Sequence, residues 1–289
     1  MQTQRGLWLF LVPSGLVISL VLLYPLGYAI YLSFFNYYLG GQPPTFIGFG
    51  NYVALFGDER FWGSIGKTVL IVAGAVGLEF VLGLAVAFGL YKLTFGVKPL
   101  NLLMFLPHIV TPVVAALFLR WIFTGRWGLL DAIIMSFNIF PPDWLGTPGW
   151  ARFTVILADA WQFTPFMILV LYAGLNTVDN SQIESAQMDG AGNWTILTKI
   201  MVPAIKPLIL FVLAIRIMDA FRFFDQIYVL TAGGPGTATE TLTMYTYALA
   251  FRLLEIGKAS ALGVMTLLLS AITIGLLILV LYRRDKGAF

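Results

Sequence analysis

Six runs of this chain are each about 20 or more mainly apolar residues long, the length a helix needs to cross the hydrocarbon of a bilayer. They cover residues 7–35, 64–93, 99–123, 152–175, 204–230 and 259–282. Within hydrocarbon the backbone must satisfy its own N–H and C=O groups, so runs of this kind fold as helices. The third and fourth are the least clean: the third holds His108 and Arg120, the fourth Asp159 and Gln162. The expected fold is therefore an all-α membrane protein with six transmembrane helices in one domain over residues 1–289. Six crossings put both termini on the same side. The first run is too long for the apolar core of a signal peptide and lacks a small-x-small cleavage site, so it reads as an uncleaved helix.

Charge and residue usage exclude several functions. Only 11% of residues are charged, against about 25% in soluble domains. The net charge is +3 and the basic residues are scattered, which argues against a nucleic-acid partner. With no cysteine there is no disulfide, thiolate metal site or cysteine nucleophile. The single histidine, His108, leaves no zinc site or His-based triad. No catalytic residue, metal ligand or cofactor site is predicted. Gly66-Lys67-Thr68 imitates the end of a phosphate-binding loop. Phe61 stands where that motif needs its first glycine, and no strand precedes it, so ATP binding by this chain is rejected.

Orientation follows from lysine and arginine near the span ends. Arg5, Lys92, Lys98, Lys199, Lys206, Arg283, Arg284 and Lys286 fall on one side. Arg60, Lys67, Arg126, Arg152, Arg252 and Lys258 fall on the other. This excess places both termini and the 178–203 loop in the cytoplasm. Trp62, Trp127, Trp144 and Trp150 suit the outer interface. Outside, residues 36–63 carry turn chemistry, residues 131–150 form a short helix plus loop, and the Gly/Pro/Thr-rich 231–240 stretch is irregular.

The 178–203 loop is polar but helix-forming. Asp179 or Asn180 can cap a helix that has Glu184 in its first turns. Gly190 ends it, Asn193 begins a second short helix, and Pro203 stands at the start of the fifth span. Ile183, Ala186, Met188, Ile196 and Leu197 give this helix-turn-helix elbow a face to bury. An interfacial amphipathic helix is the plainer alternative.

Ionisable groups inside a membrane are costly and face a cavity or a partner. Arg216, Asp219, Arg222 and Asp225 recur every three residues along the fifth span. They form either a self-neutralising ladder or a set of groups that hydrogen-bonds a polyhydroxy substrate. Asp159, Trp161 and Gln162 have the chemistry that holds sugars, carboxylate and amide for hydroxyls and a ring for a CH face. His108 lies between Pro107 and Pro112, which kink the third span. Glu79, alone in the second span, reaches a polar group on a neighbouring helix. Arg120, Arg216 and Arg222 leave open an anionic sugar derivative, phosphorylated or sulfonated.

The spacing Glu184-Ser185-Ala186, Gly190, Ile200, Pro203, with Asp189 and Ala191 flanking the glycine, resembles the EAA coupling loop of permease subunits of bacterial ABC importers. Ser185 replaces the usual Ala, and Val202 the usual Leu. Two further stretches resemble the carbohydrate branch: Phe224-Asp225-Gln226-Ile227-Tyr228-Val229-Leu230-Thr231-Ala232-Gly233-Gly234-Pro235, and Phe46-Ile47-Gly48-Phe49-Gly50-Asn51-Tyr52. The first is like that of the first permease of maltose- and glycerol-phosphate-type importers; Lys67-Thr68 departs from the usual Asn-Thr. The resemblance implies the type I importer permease fold and alternating access. The implied partners are a second homologous permease, an ABC ATPase dimer that binds the ATP and Mg, and a periplasmic or extracellular solute-binding protein. It implies that Glu184, Ser185, Ala186, Asp189, Gly190, Ala191 and Pro203 couple to the ATPase. Substrate contacts from the third, fourth and fifth spans point to His108, Asp159, Trp161, Gln162, Arg216, Asp219 and Arg222. The expected function is that of the translocating permease, not an enzyme, of an ATP-driven sugar importer in the bacterial inner membrane. The competing class is an ion-coupled secondary carrier, with Glu79 or Asp219 titrating.

Overall fold

The computed structural model describes residues 12–125 and 127–283, with side chains to residue 279. Arg5, Arg126, Arg284 and Lys286, used above for orientation, and the first residues of the 7–35 span lie outside the described residues. Among the described residues the regular elements are helices and one two-stranded ribbon that the sequence did not announce. In order, the elements are α1 (Val12–Leu32), β1 (Phe35–Asn36), β2 (Thr45–Phe46), α2 (Gly50–Phe56), α3 (Glu59–Lys92), α4 (Val97–Ile109) and α5 (Pro112–Ile122). Then come α6 (Leu129–Ser136), α7 (Pro148–Leu175), α8 (Asn180–Met188), α9 (Asn193–Ala204), α10 (Lys206–Phe221), α11 (Asp225–Leu230), α12 (Leu242–Tyr247) and α13 (Ile256–Arg283).

Among the described residues four helices, α1, α3, α7 and α13, are long and apolar enough to cross a membrane, and two bent pairs bring the total to six when each counts as one span. The first pair, α4 and α5, turns by 92°. The prolines predicted a kink here; the result is a full break. Pro112 pushes the residue before it out of the helical region, and Thr111 is extended at ψ 144. The second pair, α9 and α10, turns by 76°. Pro207 has no N–H for the carbonyl of Pro203, so the helical ladder is interrupted between them. Pro203 thus lies before the bend, and the spanning helix starts at Lys206 rather than at residue 204. The predicted 204–230 run is also not continuous, because α10 stops at Phe221 and α11 starts at Asp225.

Chain contacts divide the molecule into two compact units, one from the described residues of Met1–Ser64 and Tyr245–Leu269, the other from those of Ile65–Met244 and Ser270–Phe289. In the first unit the Phe46–Tyr52 stretch has a structural task. β1 and β2 pair antiparallel with Phe35 opposite Phe46. Asn51 donates to the carbonyls of Ser33 and Phe35 at 2.8 and 2.9 Å. Gly257 packs so closely that a Cβ there would lie 2.0 Å from the Phe35 carbonyl oxygen. Asp58 accepts from the Tyr245 hydroxyl and pairs with Lys258 at 3.4 Å.

In the second unit α7 is the hub, with α4, α5, α10 and α11 all packed against it. Two apolar clusters form along it. One joins Val155 and Ala158 of α7 to Ile71, Ala116, Leu119 and Ile227. The other joins Met167, Leu171 and Leu175 to Ala87, Ile183, Ile196, Met201 and Val212. Asp159 and Gln162 fall between the two clusters on α7, as Glu79 does on α3 between Ile71 and Ala87. A polar layer is therefore enclosed by apolar packing on both sides.

Candidate functional site

The polar layer is organised by Arg216, which is 1% exposed. Its Nε donates to Glu79 Oε2 at 2.7 Å and its Nη2 to Glu79 Oε1 at 2.8 Å. The same Nη2 donates to Asp159 Oδ2 at 3.1 Å. The guanidinium also lies over the ring of Phe163, 3.9 Å from its centroid. A bidentate carboxylate and a ring face are the surroundings in which arginine tolerates burial. Glu79 does reach a neighbouring helix, as its isolation in an apolar span implied. The ladder along α10 does not form as a continuous device. Arg216 turns to α3 and α7, and only Arg222 and Asp219 pair locally, at 2.8 Å. Asp225 lies beyond the end of α10. Helical spacing made the four groups neighbours; the packing of α10 on α7 gave Arg216 better-desolvated partners.

A cleft of about 440 Å³ opens beside this cluster. Asp159, Arg216, Asp219 and Arg222 line it, together with Pro112, Phe163, Phe223, Phe224, Asp225 and Gln226. Four of the seven predicted substrate residues thus share one cavity. The other three are placed differently. Gln162 is buried; its Nε2 donates to the Val110 carbonyl at 2.6 Å and its Oε1 accepts from Gln226. His108 is set among Phe105, Phe163 and Phe166, stacked on the last at 5.6 Å, with Nδ1 unpartnered among the described residues. Trp161 is 38% exposed and does not line the cleft. Arg120 donates to the Val229 carbonyl at 2.9 Å, which ties α5 to α11. The sequence reading missed Phe163 and Gln226 at this site. Gln226, an amide beside Asp225 at the start of α11, carried a usable signal.

The elbow is built as local chemistry dictates. Asp179 caps α8, its Oδ1 accepting from the Ser181 N–H at 2.9 Å. That backbone N–H holds the Asp179 carboxyl below its ordinary range, with the Ser181 side chain assisting. The helix ends in a Schellman motif: Ala191 N–H reaches the Ala186 carbonyl at 2.9 Å and Gly190 N–H reaches the Gln187 carbonyl at 3.0 Å. Gly190 adopts φ +82, a conformation costing a residue with a Cβ about 1–2 kcal/mol. Ile183, Ile196 and Leu197 turn inward against α7. Glu184, Ser185, Asp189 and Pro203 are exposed, and Ala186 and Ala191 half-buried. Two large apolar side chains turn outward, Met188 at 89% and Trp194 at 75% exposure.

Residues 79–284 match the family model described as "Binding-protein-dependent transport system inner membrane component". The chain is 34% identical to the sulfoquinovosyl glycerol transport system permease protein SmoG of Agrobacterium fabrum, over 96% of this chain and 90% of that one. It is 34% identical to the trehalose transport system permease protein SugA of Mycobacterium tuberculosis, over 92% of this chain and 85% of that one. A chain from the crystal structure of a bacterial alginate ABC transporter, in complex with an alginate pentasaccharide-bound periplasmic protein, superposes with a TM-score of 0.81. It shares 22% identity, covering 96% of this chain and 93% of that chain. The fold is that of a type I importer permease.

Proposed function

Because this chain belongs to the family of binding-protein-dependent transport system inner membrane components, we propose that it translocates a neutral sugar as one half of an ATP-driven importer. The chain is a permease subunit and not an enzyme. In this reading it pairs with a second, homologous permease in the inner membrane, with both termini cytoplasmic. An ABC ATPase dimer carries the ATP and Mg, and an external binding protein delivers the solute. The ion-coupled carrier has no support from the family match.

The observation that carries the proposal is the elbow from α8 to α9. One face is anchored in the core beneath α7, while Met188 and Trp194 are held out on the other. Rigid helices that display apolar side chains beside a fixed turn suit docking into a groove. Movement of the docked elbow would pass directly to α7 and α10, which bound the cleft. Alternating access then opens the cleft to one side and the other.

For the solute, two relatives carry the names of sugar or sugar-derivative systems. The cleft supports a neutral one. Asp159, Asp219 and Asp225 line it against Arg216 and Arg222, and Arg216 is already engaged by Glu79. Carboxylates accept hydroxyl hydrogens and repel anions. An anionic derivative would have to be met by Arg222, whose side chain is 73% exposed.

The test is reconstitution of the whole complex in proteoliposomes with Glu184→Arg or Gly190→Val. Both variants are expected to lose the link between ATP hydrolysis and uptake. Wild-type uptake in both would remove the coupling role. Competition by neutral disaccharides against phosphorylated and sulfonated sugars decides the solute class.

A further inference from the structure

The break between α4 and α5 leaves a carbonyl outside both helices. Thr111 starts the α5 ladder, its own carbonyl accepting from Ala115 at 3.0 Å. The carbonyl of Val110 receives instead the Nε2 of Gln162, at 2.6 Å. This sets the direction of everything that follows. A carbonyl can only accept, so Gln162 must present its NH2 group to Val110. Its Oε1 is then left for Gln226, which must donate its own NH2. The relay therefore ends with the Oε1 of Gln226. That oxygen is buried and has no hydrogen-bond partner among the described residues, although Gln226 is 0% exposed. An unpaired buried acceptor is costly, and this one belongs to a residue that lines the cleft.

We infer that Gln226 is a substrate-reading residue: its open carbonyl accepts an O–H from a polyhydroxy solute in the cleft, and Gln162 is the positioning residue that aims it. The inference rests on the sugar reading above and deepens it. Gln226 spends an N–H on Gln162, and the group it has left without a partner is the carbonyl oxygen, an acceptor. It therefore selects for a hydroxyl and against the oxygens of a phosphate or sulfonate. Broken helix, buried amide pair and cleft wall make one device, in which Pro112 frees the carbonyl that polarises the relay.

The experiment uses the full complex in proteoliposomes with its binding protein and ATP. The parent sugar is whichever of trehalose, maltose and lactose the wild type imports. The parent then competes, in one reaction, with each of its monodeoxy analogues. The ratio of uptake rates is compared between wild type and Gln226→Leu, so the preference of the binding protein cancels. One analogue, lacking the hydroxyl that Gln226 reads, is expected to change its ratio by about three- to tenfold, the range for one net hydrogen bond. The others should stay at their wild-type ratios. Gln226→Met serves as a second variant should the leucine form fail to assemble. Ratios unchanged for every analogue would mean that the oxygen holds only a water and would overturn the inference. A shift common to all analogues would make Gln226 a packing residue and overturn it equally. If the wild type imports phosphorylated or sulfonated sugars and no neutral one, the neutral-sugar reading itself falls and takes this inference with it.

Discussion

Replacing Arg216 by Met should be among the most damaging single changes in the second unit. The guanidinium makes two hydrogen bonds to Glu79, at 2.7 and 2.8 Å, and one to Asp159 at 3.1 Å, all three side chains at most 2% exposed. Removing the arginine leaves both carboxylates buried, close together and unpaired. Breaking a buried pair in this way costs about 3–5 kcal/mol. The expected result is a fall in melting temperature of about 6 °C or more, read from the detergent-solubilised complex by thermal unfolding followed on size exclusion. The decisive comparison is the same change made in a Glu79→Gln, Asp159→Asn background. Arg216 is itself the stranded charge in that background, so Arg216→Met should there cost nothing or raise stability. Equal losses in the two backgrounds would refute the claim that stranded charge dominates. Glu79→Gln alone should cost more than Asp159→Asn, because Glu79 makes two of the three contacts and the shorter ones.

Other expectations concern the first unit and the elbow. Gly257→Ala should prevent stable folding, since its Cβ would meet the Phe35 carbonyl oxygen at 2.0 Å, whereas Gly263→Ala has nothing within 4 Å and should raise stability by about 0.5–1 kcal/mol; yield and melting temperature of the pair check this. Burial pushes the Asp58 carboxyl up, but the Tyr245 hydroxyl, the Arg60 backbone N–H and Lys258 outweigh it and leave its pKa below the ordinary 3.8. The stabilisation it supplies is therefore complete above about pH 4 and lost as pH falls through the lowered value. Asp58→Asn should melt earlier than wild type at neutral pH, with the gap closing only in strong acid; a gap independent of pH would refute the assignment. Exposed Met188 and Trp194 should be protected from oxidation and labelling when the ATPase is bound, and remain reactive in the isolated chain.

Much of this architecture was legible because its signals are local. Apolar runs of bilayer length marked the spans. Asp179, Gly190 and Asn193 marked the cap, turn and restart of the elbow, since capping and positive φ are decided within a few residues. Pro107 and Pro112 marked the place where the third span fails. The sequence also singled out Glu79, Asp159 and Arg216, because charge in an apolar run needs a partner wherever it lies. Who that partner is was not local. Arg216 stands three residues from Asp219, yet binds Glu79, 137 residues away in sequence. The choice depends on how α3, α7 and α10 pack. Desolvation in the layer between two apolar clusters makes a buried bidentate pair worth more than an exposed neighbour at helical spacing. The same holds for Gln226. Only the tertiary structure brought it against Gln162, and Gln162 against a carbonyl freed by the broken helix, so that one amide oxygen of a cleft-lining residue was left unpaired. Sequence alone marked which segments are long and apolar enough to cross a membrane and where the third run fails, because those depend on hydrophobic length and backbone chemistry. Only the packed structure decided which polar groups satisfy one another and which is left for a ligand, because that depends on distances between helices far apart in the chain.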